Sequence, residues 1–178
     1  MSKKVLVISG SPRKGGNSDT LCDQFIKGAN EAENDVEKIF IRDKKINFCT
    51  GCYACKKDGN CIQKDDMAEI LGEIMMADVV LMATPVYFYT MDGQMKTLID
   101  RTVPLYSRMK NKDMYFIAAA AESSKSALER TIDGFRGFMD CYEGFREKGI
   151  IYAAGVWNIG EVNNTKYMTE AYDMGKNV

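Results

Sequence analysis

Lys4 to Leu21, KVLVISGSPRKGGNSDTL, already dictates a strand, a tight polar turn and a helix. Val5, Leu6, Val7 and Ile8 form a nearly continuous apolar run, the pattern of a strand buried on both faces of a parallel sheet. Small and polar residues follow at once. From Leu21 the apolar positions continue as Cys22, Phe25, Ile26, Ala29 and Ala32, the spacing of a helix with one buried face.

A turn of this kind suits an anion, because the first N–H groups of the following helix lack intrahelical partners and the helix dipole favours negative charge there. Gly15 and Gly16 allow close backbone approach. Ser9, Ser11, Asn17, Ser18 and Thr20 supply short side-chain donors, and Arg13 and Lys14 offset charge. Gly10-x4-Gly15 continues as Gly16-Asn17 instead of Lys-Ser/Thr, so the nucleotide-triphosphate loop fails, and no G-x-G-x-x-G follows the strand. A phosphomonoester such as that of FMN fits better, although a Gly/Ser turn that binds nothing would look the same.

The rest of the chain repeats the alternation. Val36 and Ile39 to Ile41 predict a second strand, and Asp78 to Ala83 a third. Between them lies a polar excursion, residues 45–65, and then a helix with Met67, Ile70, Leu71, Ile74 and Met75 inward, opened by a capping box of Asp66 and Glu69. Met95, Leu98 and Ile99 mark a helix, Met114 to Ala121 a fourth strand, and Leu128, Ile132, Phe135 and Met139 a helix fraying near Gly144. Ile150 to Ala154 gives a fifth strand and Tyr167 to Lys176 a terminal helix. The expected fold is a flavodoxin-like α/β three-layer sandwich: one domain over residues 1–178, with a five-stranded parallel sheet in the order 2-1-3-4-5. The missing glycine fingerprint disfavours the dinucleotide-binding order. Ligand is expected outside the carboxyl ends of strands 1, 3 and 4.

Two more loops fall at those ends. Pro85, Val86, Tyr87 and Phe88, followed by Tyr89, can meet the polar edge of an isoalloxazine and cover part of its face, or simply cap the strand. Ala119 to Glu122, including Ala120 and Ala121, would form a third wall.

Composition removes whole classes of chemistry. The 178 residues contain no histidine, which excludes His-dependent triads and makes most catalytic metal sites improbable. No catalytic side chain is nominated; any chemistry must come from a cofactor, from Tyr, Asp or Lys groups, or from thiols. With 24 basic and 25 acidic side chains, the net charge of −1 gives no reason to expect nucleic acid or an anionic membrane. No apolar run approaches membrane-spanning length and Met-Ser-Lys-Lys leads directly into a strand, so a cytoplasmic protein is expected.

In SGSPRKGGNSDTL, CTGCYACKKDGNCIQKDDM, ATPVYFYTMDGQMKTLIDR and WNIGEV, in that order, the chain resembles the flavodoxin-like NAD(P)H-dependent FMN reductases, including the iron-sulfur flavoproteins. The resemblance implies FMN, with NAD(P)H as transient donor and a flavin, quinone or other small molecule as acceptor. It places the phosphate at Ser11, Arg13, Asn17, Ser18 and Thr20 and the flavin ring at Pro85, Val86, Tyr87 and Phe88. It also implies a homodimer or homotetramer whose neighbouring subunits help close the site. An electron carrier serving a protein partner is the alternative. Cys49-x2-Cys52-x2-Cys55-x5-Cys61 resembles the ligand run of the iron-sulfur flavoproteins, where four thiolates hold a [4Fe-4S] cluster. Its last gap is five residues, with Ile62 instead of Pro following. Structural zinc, dithiol use and a compact loop of reduced cysteines remain as other readings. Cys22 and Cys141 are expected to be packing residues.

Overall fold

The computed structural model describes residues 2–178. Its strands are β1 (Lys4–Ser9), β2 (Asp35–Phe40), β3 (Val79–Tyr87), β4 (Thr90–Met91), β5 (Asp113–Ala119) and β6 (Arg146–Ala153). Its helices are α1 (Asn17–Glu31), α2 (Cys55–Asp58), α3 (Met67–Met76), α4 (Gly93–Asp100), α5 (Ser126–Met139) and α6 (Tyr167–Lys176). The order β2-β1-β3-β5-β6 is the expected one, with every neighbouring pair parallel.

Strand alternation divides the core into two layers. Val5 and Val7 face Leu21, Phe25 and Ala29 of α1 and Ala171 of α6, while Leu6 and Ile8 face Ile70 and Ile74 of α3, Leu98 of α4 and Ile132 and Phe135 of α5. α6 lies on α1 at glycine-to-glycine distance. A Cβ on Gly28 would stand 2.1 Å from the Tyr172 carbonyl oxygen, and one on Gly175 would stand 2.0 Å from that of Phe25.

Three details depart from the sequence reading. β3 runs beyond Ala83 through Pro85 to Tyr87 and folds back on β4, pairing Val86 with Met91 and Tyr87 with Thr90. The turn residues Phe88 and Tyr89 both have positive φ, 50° and 64°, which a two-residue hairpin demands and which usually selects Gly or Asn. β6 begins at Arg146, four residues before the apolar run, because an edge strand paired only to β5 tolerates exposed Arg146, Glu147 and Lys148. The capping box does not form: Asp66 makes no side-chain cap, and its Oδ2 accepts from Lys45 N at 2.6 Å instead. Asp65 reaches Met67 N at 3.2 Å, and Glu69 pairs with Lys44 at 3.0 Å.

Candidate functional site

Parallel pairing brings Ser9, Ala83, Ala119 and Ala153 to one edge of the sheet, so the loops after β1, β3 and β5 open side by side. The turn after β1 is largely self-supporting. Ser9 Oγ donates to Asp19 Oδ1 at 2.9 Å, Gly15 N donates to Asp19 Oδ2 at 2.9 Å, and Lys38 pairs with Asp19 at 2.7 Å. Asp19 thus braces the turn from below, a role visible in sequence only as an acid in a helix's first turn. Ser11 Oγ donates to Arg13 O at 2.7 Å and Thr20 Oγ1 to Gly15 O at 3.3 Å. Ser18, buried at the start of α1, is the one of these hydroxyls left without a protein acceptor among the described residues. Gly16 cannot carry a side chain without moving the turn, since its Cβ would stand 2.7 Å from Ser11 Oγ and 3.0 Å from Arg13 O.

A roof over this turn comes from the far end of the sequence. Asn17 Nδ2 donates to Asn158 O at 3.0 Å, Val162 N donates to Asn17 Oδ1 at 3.3 Å, and Arg13 Nη2 reaches Trp157 O at 3.4 Å. The Asn17 side chain is therefore engaged with protein, leaving its backbone N–H for an anion. Glu161 holds the roof in shape by accepting from Trp157 N, Asn158 N and Asn158 Nδ2. Those three donors also keep its carboxyl below the usual range. Trp157 stands exposed next to the turn, a position its isolation in sequence did not disclose.

Pro85 is buried and Val86 half-buried in the last turns of β3, and Tyr87 and Tyr89 are exposed. Phe88 is 99% exposed at the hairpin tip. Two consecutive left-handed residues without Gly hold this tip under backbone strain, a feature that collects at binding sites. Of the third wall, Ala120 is buried and linked to Ala153 and Val156 by backbone bonds of 2.9 and 2.8 Å, while Ala121 is exposed.

Between the turn and the hairpin lies Asp92, which sequence reasoning missed although an acid just before a helix is an N-cap signal. Its Oδ1 accepts from Met95 N at 2.8 Å, and its Oδ2 is buried with no partner. A Cβ on Gly10 would stand 3.1 and 3.2 Å from these two oxygens, so the carboxyl abuts the root of the turn. Burial pushes its pKa from 3.8 up to about 7. The folded chain therefore binds this proton more tightly than the unfolded chain does. The resulting stabilisation is complete below pH 3.8 and fades as the pH rises to about 7. At ~1.4 kcal/mol per pKa unit this amounts to roughly 4 kcal/mol. Asp92→Asn keeps the capping oxygen and should flatten that slope; urea denaturation of both forms between pH 4 and 8 measures it. Parallel curves for the two would refute the assignment.

The excursion is closed at its base, where Asp66 N donates to Lys45 O at 3.1 Å. Cys49, Cys52, Cys55 and Cys61 all line one hollow of about 300 Å³, together with Arg101 and Pro104. Hydrogen bonds from Ala54 N and Thr50 lower the Cys52 thiol pKa. Arg101 holds the Asp65 carboxyl at about 2. Among the described residues no three Cys, Asp or Glu side chains are gathered as a ready metal site. Cys22 is buried in the α1 face of the core as expected, and burial pushes its thiol pKa far up; Cys141, expected to pack, is instead exposed just past the end of α5.

Comparison with known proteins gives the family and the fold. Residues 3–143 match the family model described as NADPH-dependent FMN reductase. The chain is 43% identical over 112 residues to an iron-sulfur flavoprotein of Archaeoglobus fulgidus, covering 63% of this chain and 51% of that protein. It is 37% identical over 137 residues to an iron-sulfur flavoprotein of Methanocaldococcus jannaschii, covering 76% and 70%. The match thus spans about half the length of the first of these curated relatives. Among solved structures, an FMN-dependent NADH-azoreductase from Bacillus anthracis in complex with FMN superposes with a TM-score of 0.75 at 16% identity, covering 98% of each chain. An archaeal flavodoxin superposes with a TM-score of 0.64 at 15% identity, covering 98% of this chain and 94% of the other. At such identities the likeness concerns the fold.

Proposed function

The chain belongs to the NADPH-dependent FMN reductase family, as the match over residues 3–143 shows, and on that premise we propose that it binds FMN and passes electrons from NAD(P)H to a small acceptor. The observation that carries this reading is the phosphate turn, braced by Asp19 and roofed by Asn158 to Val162, beside the strained aromatic hairpin on one sheet edge. When bound, FMN supplies two-electron exchange with a nicotinamide. The chain's part is to hold and orient. The N–H groups at the start of α1 and the Ser18 hydroxyl take the phosphate, with Arg13 offsetting its charge. Pro85 to Phe88 border the ring, and Ala120 and Ala121 form the opposite wall. No side chain is required to move a proton.

Phe88, Tyr89 and Trp157, exposed around this edge, are the surface a second copy of the chain would cover, which supports a homodimer or homotetramer. Among the described residues no helix is long and apolar enough to cross a membrane. Six free cysteines suit the reducing cytoplasm.

Anaerobic mixing of the FMN-loaded protein with NADH and, separately, NADPH should bleach the oxidised flavin before any acceptor is added. Flavin that stays oxidised with both donors would replace the reductase reading with that of a carrier serving a protein partner.

A second reading adds an iron-sulfur centre, favoured by the four thiols on one hollow. The donor set fits a [4Fe-4S] cluster: four soft ligands in one exposed, mostly irregular segment whose base is clamped. Ligation requires the Cys49 to Cys61 segment to draw in, and its lack of a packed core permits that. Cys49, Cys52, Cys55 and Cys61 would be the ligands, and the cluster when bound supplies single-electron exchange.

A further inference from the structure

Arg101, the residue that ends α4, is among the largest fully buried side chains, and its ionic partner Asp65 is equally enclosed, with side-chain exposures of 2% and 0%. Its donors are almost all committed. Nη1 donates to Asn47 O at 2.6 Å and to Asp65 Oδ2 at 2.7 Å; Nη2 donates to Asp65 Oδ1 at 2.9 Å and reaches Cys61 Sγ at 3.5 Å. Only Nε is buried without a partner. Asp65 also accepts from Asn47 N at 3.0 Å. One guanidinium therefore ties together the residues just before Cys49 and just after Cys61.

Stability alone does not explain such a pair, since two buried charges lose about as much solvation as their attraction returns. What the arrangement does is fix a positive charge and a donor against one particular sulfur, in the wall of the hollow that all four loop cysteines line. An arginine fork is suited to this because its planar geometry leaves one edge for the carboxylate and directs the rest elsewhere.

We propose that Arg101 is a positioning residue for the cysteine centre, holding Cys61 in place as a ligand and raising the reduction potential of the cluster that the four cysteines hold. The inference rests on the iron-sulfur reading above. Its physical basis is that reduction adds one electron, and hence one negative charge, to the centre. A nearby fixed cation and a hydrogen bond to a ligand sulfur stabilise that added charge.

The test uses the full FMN-loaded chain, reconstituted anaerobically with ferrous iron and sulfide, in wild type, Arg101→Gln and Arg101→Lys. Iron, sulfide and FMN are counted, and the cluster's midpoint potential is titrated with electron paramagnetic resonance as readout. The potential should move to more negative values in Arg101→Gln and by a smaller amount in Arg101→Lys, which keeps the charge but loses the fork, with FMN content unchanged in both. A merely structural clasp would reduce iron content while the remaining cluster kept the wild-type potential. That result overturns the proposal, as does an unchanged potential at full occupancy. Should Arg101→Gln fail to fold, Arg101→Lys decides by the same criterion. Wild type that takes up no iron and sulfide would sink the iron-sulfur reading and the inference together, whereas a wild-type cluster whose potential ignores Arg101 sinks the inference alone.

Discussion

Gly28→Ala is expected to lower the stability of the folded chain by about 3 kcal/mol, at the upper end of what overpacking costs. The new methyl would stand 2.1 Å from Tyr172 O and 2.7 Å from Lys176 N. Both atoms are backbone, so no side-chain rotation relieves the clash and α6 must move off α1. Gly175→Ala makes the reciprocal collision, 2.0 Å from Phe25 O, and should cost a similar amount. In a chain of this size the loss corresponds to a fall of roughly 10 °C in melting temperature. Gly72→Ala is the control: nothing lies within 4 Å of its Cβ on the exposed face of α3, and removing a helical glycine there should stabilise by about 0.5–1 kcal/mol. Calorimetry of the three variants checks the ordering. A Gly28→Ala protein that melts with wild type would mean that the two helices do not pack this closely.

Ser18→Asp should weaken FMN binding by ~100-fold or more. A unit charge about 4 Å from the phosphate at an effective dielectric near 20 is worth roughly 4 kcal/mol, enough to exceed that loss after partial relaxation. Ser18 is informative because the hydroxyls of Ser9, Ser11 and Thr20 already have protein acceptors, so changing them would disturb the turn as well as the ligand. Ser18→Ala removes one donor without adding charge and should cost about tenfold. Calorimetric titration of apoprotein with FMN, alongside circular dichroism to show that the variants are folded, measures both. Equal affinity in a folded Ser18→Asp protein would move the phosphate away from the start of α1.

Much of the architecture was legible because it is written locally. The apolar run of β1, the spacing of Leu21, Cys22, Phe25 and Ala29, and the small polar turn between them are features of neighbouring residues; the layered α/β fold follows from their alternation, and the strand order from the missing glycine fingerprint. What sequence did not disclose depends on distant partners. Asn17 meets Asn158 and Val162 across more than 140 positions, and Arg101 meets Asp65 across 36, with no periodicity to announce either. Asp66 carried the right pattern for a cap, yet its carboxylate is engaged by Lys45. Phe88 and Tyr89 lacked the Gly or Asn that normally marks a tight hairpin, so the fold back into β4 was invisible. Asp92 reads as an ordinary helix-capping acid until its burial is known.

The roof of the β1–α1 turn has a temporal meaning. Asn17 needs Asn158 and Val162, and α1 needs α6, so α1 waits for residues more than 140 positions downstream before its surroundings are complete. The family match stops at residue 143, short of the residues that close over the turn. Any ligand that the β1–α1 turn takes up must therefore wait for a segment more than 140 positions downstream: the turn is made early, but its cover of Trp157 to Val162 follows much later in the chain.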